Sequence, residues 1–69
     1  MFDKNRFKAQ LALAGMNMKQ VAAELGINES TMYRKFNANG DFSRSEINKM
    51  IIILGIEKPE EIFFSKELA

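Results

Sequence analysis

The chain has 69 residues and contains neither Cys nor His. That length fits one small domain, and the composition excludes disulfides, thiolate or imidazole metal sites and His- or Cys-based catalysis. An enzyme would need paired carboxylates in a cleft, and so short a chain builds little cleft, so no catalytic residue, metal or cofactor is expected. The formal net charge of +1 is unevenly spread: residues 1–44 hold seven Lys and Arg against four acids, residues 45–69 three Lys against five Glu. A basic front and an acidic back suit a protein that turns one side to a polyanion, although chance scatter of surface charge gives the same tally.

The elements follow in chain order as short helices. Asp3 caps a first helix from about Lys4 to Ala14, with Phe7, Leu11 and Ala14 on one face, Leu13 at its flank and Gly15 ending it. Asn17 and Gln20 form a candidate capping box for a second helix, Met18 to Leu25, whose stripe is Met18, Val21, Ala22 and Leu25 and whose stop is Gly26. A third helix runs from Glu29 to about Ala38 behind the cap Asn28, with Met32 and Phe36 inward and Asn39-Gly40 as the following turn. Ser43 to Glu46 is a second capping box, opening a fourth helix from Arg44 to Leu54 with Ile47, Met50, Ile51 and Leu54 on its inner face. Pro59 suits the first position of a last short helix running towards Phe64, after which Ser65 to Ala69 are expected to fray. The fold expected is all-α, five short helices in a single domain over residues 1–69. The longest uninterrupted apolar run, Met50 to Leu54, is far too short for a membrane span, and no leader pattern opens the chain, so a soluble cytoplasmic protein is expected.

Residues 17–38 form a unit. Two residues separate Gly26 from the third helix, and so short a link forces the helices to cross at a large angle. Ala22 is small enough for that crossing, Gly26 tolerates the positive φ of the turn, and Val21, Leu25, Ile27 and Met32 pin both helices to the core. The pattern predicts a helix-turn-helix; the alternative is an ordinary hairpin of a small bundle.

The segments Val21-Ala22, Leu25-Gly26-Ile27 and Ser30-Thr31-Met32 resemble the helix-turn-helix of phage repressor and Cro-type regulators. Arg34-Lys35-Phe36, Phe42-Ser43, Glu46-Ile47, Ile53-Leu54-Gly55-Ile56 and Ile62-Phe63-Phe64 extend the resemblance to small regulators of phages and prophages of Gram-positive bacteria. The resemblance implies a lambda-repressor-like five-helix domain that lays its third helix in the DNA major groove. Two positions depart from the pattern. Met18 stands where such families often have a phosphate-bracing Gln, leaving Asn17 or Lys19 to substitute, and Lys35 stands at a usually apolar position.

With Met32 and Phe36 inward, the opposite face of the third helix shows Ser30, Tyr33, Arg34 and Asn37, with Asn28 and Glu29 at its entering end. Arg34 has the fork to bond guanine, Ser30 can bond several bases, and Tyr33 can pack on a thymine methyl or bond a phosphate. Glu29 suits a cytosine amino group or simply the helix N-terminus. Lys19, Lys35 and Asn37 are better phosphate contacts than base readers. Lys4, Arg6 and Lys8 read as solvated surface, with a basic-arm role as the lesser alternative.

Ile52, Ile53, Ile56, Phe63 and Phe64 exceed what one face needs, which predicts a homodimer surface; the alternative is a tail that folds back within one chain. The function expected is a sequence-specific regulator acting on a double-stranded DNA operator. An interaction module that binds a protein partner, such as an antirepressor, is the alternative, and an architectural role on DNA a third possibility.

Overall fold

A computed structural model describes residues 1–64 and contains five helices: α1 (Lys4–Ala14), α2 (Met18–Leu25), α3 (Glu29–Asn37), α4 (Arg44–Leu54) and α5 (Pro59–Phe63). No strand occurs among the described residues, and none of their helices is long and apolar enough to cross a membrane. The expected fraying of Ser65 to Ala69 lies outside the described residues.

Local chemistry sets the helix starts. Asp3 Oδ1 accepts the amide of Arg6 at 3.0 Å, and Asn28 Oδ1 that of Thr31 at 2.7 Å. Asn17 and Gln20 bond reciprocally, each at 2.9 Å, in the expected capping box. Ser43 and Glu46 do the same at 3.2 and 2.8 Å. Each such cap stabilises its helix by about 1 kcal/mol. The ends of α1, α2 and α4 share one device: the amides of Met16, Ile27 and Ile56 each reach five residues back, to the carbonyls of Leu11, Ala22 and Ile51, at 3.0 Å. This closure folds the next apolar residue onto the core. α3 stops at Asn37, one residue before the expected end, because Ala38 leaves helical geometry and Asn39 and Gly40 both take positive φ.

α2 packs on both α3 and α4, while α1 packs on α4 and α5. The core has two halves. Met18, Val21, Ala22, Leu25, Met32, Met50 and Leu54 join α2, α3 and α4, with Ile27, Ile47, Ile51 and Ile53 partly buried against them. The other half is aromatic and centres on Phe2, a residue outside any helical stripe. Its ring lies 5.5 Å from Phe7, 5.6 Å from Phe36, 5.9 Å from Phe42 and 5.9 Å from Phe63. The amide of Asp3 donates to Ile62 O at 2.7 Å, so the chain start is tied to α5. Gln10 Nε2 donates to Leu54 O at 2.7 Å, satisfying an end carbonyl of α4 from α1.

The five residues expected at a dimer surface divide. Ile52 is 78% exposed and Phe64 62% exposed, whereas Ile56 and Phe63 are buried and Ile53 is half-buried against the core. Assignment of Ile56 and Phe63 to that surface is therefore corrected. The closure after α4 turns Ile56 inward, and Phe63 packs on the rings of Phe2, Phe7 and Phe42.

Candidate nucleic-acid interface

The site is built by the α2–α3 pair. Gly26 adopts φ 74°, Ile27 packs on the core, and Asn28 starts α3 at once. Ala22, 1% exposed, offers no bulk on a helix that packs closely against two others. α3 then anchors through Met32 and Phe36, both buried, which fixes the roll of its outer face. Ser30, Tyr33, Arg34 and Asn37 are all exposed, and their spacing of three and four residues makes them one stripe. Glu29 is exposed next to it in sequence, on the first turn of α3, and Lys19 is exposed on the first turn of α2. Glu29 at the start of α3, and Arg34 and Lys35 at its end, complement the helix dipole.

Two of the three asparagines of the expected site, Asn17 and Asn28, are tied into the scaffold. Asn28 Oδ1 accepts from Thr31 N and also from Ser30 Oγ, the latter at 2.9 Å, and Asn17 Oδ1 is committed to its capping box. Each keeps its side-chain NH2 donors for a ligand. Lys35 is corrected as a phosphate contact. Its Nζ lies 3.2 Å from Glu46 Oε1, with the Lys35 and Glu46 side chains 21% and 14% exposed, so it braces α3 against α4. The departure from an apolar residue at this position is thus met by a carboxylate on the next helix.

Glu46 carries two tasks: its carboxylate accepts from Ser43 N, completing the cap of α4, and pairs Lys35. Burial pushes its pKa up. The bonds from the Ser43 backbone and the Lys35 ammonium, with their charge attraction, outweigh that and leave it below the usual 4.5. A depressed carboxylate pKa stabilises the fold above the unfolded value, and that contribution is lost as pH falls through the folded one. Glu46→Gln, which keeps a capping oxygen but loses the charge, should cost about 0.5–1 kcal/mol at pH 7. In urea melts the gap to wild type should narrow as pH falls through the folded carboxylate's titration; a gap that is the same in strong acid as at neutral pH would show that the charge contributes nothing.

The structure also brings in residues that the sequence left as solvated surface. Lys4 Nζ donates to Asn37 Oδ1 at 3.3 Å, and the ammonium groups of Lys4 and Lys8 lie 5.4 and 5.9 Å from the centre of the Phe36 ring. Their spacing of four placed them on one edge of α1, but nothing in the sequence said that this edge adjoins α3. Arg6 instead pairs with Asp3 and Glu61. Among the described residues, Arg6, Lys35 and Lys58 have carboxylate partners, whereas Lys4, Lys8, Lys19 and Arg34 have none. Arg34 on the stripe, and Lys4 and Lys8 beside Phe36 and Asn37, are thus positive charges without a carboxylate partner on or next to α3. No cluster of acidic side chains able to hold a metal ion occurs among the described residues.

The family of bacterial regulatory proteins named Fis matches residues 1–38, more than half of the chain and the segment that holds α1, α2 and α3. No curated protein and no solved structure matches it. With two helices crossing at a tight turn, a buried inner face and a polar outer one, the chain belongs to the Fis family of bacterial regulatory proteins and carries their DNA-binding helix-turn-helix.

Proposed function

We propose that the protein is a sequence-specific transcriptional regulator of the Cro or repressor kind, of phage or prophage origin, acting in the cytoplasm as one domain over residues 1–69. α3 enters the major groove and reads bases with Ser30, Tyr33 and Arg34, with Glu29 at its entering end. Lys19, Asn37 and the amides of Asn17 and Asn28 serve the backbone. The observation that carries this reading is the exposed stripe on α3, locked in roll by buried Met32 and Phe36 and bordered by cations without carboxylate partners among the described residues. Selection from random duplexes should enrich one motif, and binding to it should weaken with salt. If about four to eight phosphates are held per dimer, the log–log slope is roughly −4 to −7. No enrichment and salt-insensitive binding would contradict the reading. The exposed acid Glu29 on the reading face favours, as a second reading, a module that binds another protein.

Two copies suit a palindromic operator, and among the described residues of the acidic half two large apolar side chains remain exposed, Ile52 and Phe64. Phe64 lines a groove with Ile47, Asn48, Ile51 and Pro59, and Ile52 stands one helical turn after Asn48. This face is the proposed dimer surface, reduced from five residues to these two with Ile53 at its edge. Because Phe64 is exposed, Phe64→Glu should fold normally. Covering the rest of that ring is worth about 1–2 kcal/mol, so the charge should raise the dimer dissociation constant about tenfold or more. Sedimentation over a concentration series checks this. A wild type that stays monomeric on and off DNA would end the dimer; loss of folding in the variant would place Phe64 in the core.

A further inference from the structure

Lys4 and Lys8 are placed at a cost. Lys4 lies in the first turn of α1, where its charge opposes the positive end of the helix dipole; the one acid at that end, the cap Asp3, pairs with Arg6 and not with Lys4. Lys8 lies four residues on, so two like charges share one edge, an arrangement that weakens an isolated helix. None of the ion pairs among the described residues relieves either lysine. Their partners among those residues are the Phe36 ring and, for Lys4, Asn37 Oδ1. Both belong to α3. Lys8, Tyr33 and Asn37 line a shallow groove floored by Leu11, Met18 and Phe36, and Tyr33 and Asn37 are members of the exposed stripe. The paired ammonium groups thus border the reading face along its Tyr33–Asn37 edge.

We propose that Lys4 and Lys8 form a phosphate clamp with Asn37, gripping the backbone of duplex DNA alongside α3; this rests on the duplex-binding reading above. A phosphodiester anion in the groove relieves the repulsion between the two lysines and supplies the anionic partner that neither has among the described residues. Asn37, already bonded to Lys4, couples this grip to the register of α3, and the Phe36 ring holds both ammonium groups over the groove before DNA arrives. The clamp takes the place of Lys35, which is held by Glu46. It carries no base information, because it meets only the phosphate.

The test uses the whole chain with Lys4→Gln, Lys8→Gln and the double substitution. The probes are a duplex enriched from a random library and a scrambled duplex of equal length. Removing one phosphate-bound cation should lower the log–log salt slope by about 0.9, so the double variant should bind with a slope smaller by about 1 to 2 per protomer. Both duplexes should be affected alike, and the enriched motif should not change. Circular dichroism melts should show all variants folded. Folded variants whose slope and affinity equal the wild type would overturn the clamp while leaving duplex binding intact. A lower melting temperature with an unchanged slope would also overturn it, leaving a purely structural stacking role. A wild type that binds neither duplex would overturn the clamp and the regulator reading together.

Discussion

Phe2→Ala is expected to remove a large share of the protein's stability, although the change falls at the second residue. The ring is 7% exposed and touches four other aromatic rings, from α1, α3, α5 and the loop before α4. Truncating a buried Phe costs about 3–5 kcal/mol. A chain of this size has roughly 3–10 kcal/mol of stability in all. Gly40 reports on the same packing from the other side. It has φ +69°, and a Cβ there would lie 2.7 Å from Phe2 Cβ, so Gly40→Ala should strain the backbone and displace the ring together. Denaturant melts of both variants check the point. A Phe2→Ala protein of near wild-type stability would mean that the chain start does not hold the core.

Arg34→Ala is the functional counterpart. The side chain is exposed on the α3 stripe and has no carboxylate partner among the described residues, so its removal should not disturb folding. A bidentate contact to guanine is worth about 1–3 kcal/mol of discrimination, and in a dimer the effect falls on both half-sites. Affinity should drop steeply and preference should relax at one base position per half-site. Lys35→Ala should do the reverse. Breaking its half-buried pair with Glu46 destabilises the fold by about 1 kcal/mol or less, while base preference stays as it was. Specificity profiles of the two variants separate these effects; uniform weakening of all sequences by Arg34→Ala would make Arg34 a phosphate contact.

The contrast between these residues shows what the sequence carries. Starts and stops of the helices were legible because they are local: Asp3, Asn17, Asn28 and Ser43 cap within three residues, and the closures at Gly15, Gly26 and Gly55 span only five or six. The exposed face of α3 was legible because Met32 and Phe36 fix it by helical spacing alone. Pairings between distant segments were not. Phe2 follows no periodic pattern, so its central position emerges only when the chain start bonds Ile62. Phe63 and Ile56 looked like surplus because the sequence does not show that α5 covers the aromatic half of the core. The Lys35–Glu46 pair and the approach of Lys4 to Asn37, thirty-three residues away, are of the same kind.

The central claim is that the outer face of α3 meets the duplex. Cross-saturation from DNA protons to the amides of the labelled protein, bound to its enriched duplex, tests it most directly. Saturation should concentrate on the α3 stripe from Ser30 to Asn37, with a second group at Lys4 and Lys8. The amides of α4 around Ile52, on the acidic half, should stay silent. Saturation centred on α4 and α5, with the α3 stripe unaffected, would contradict the account.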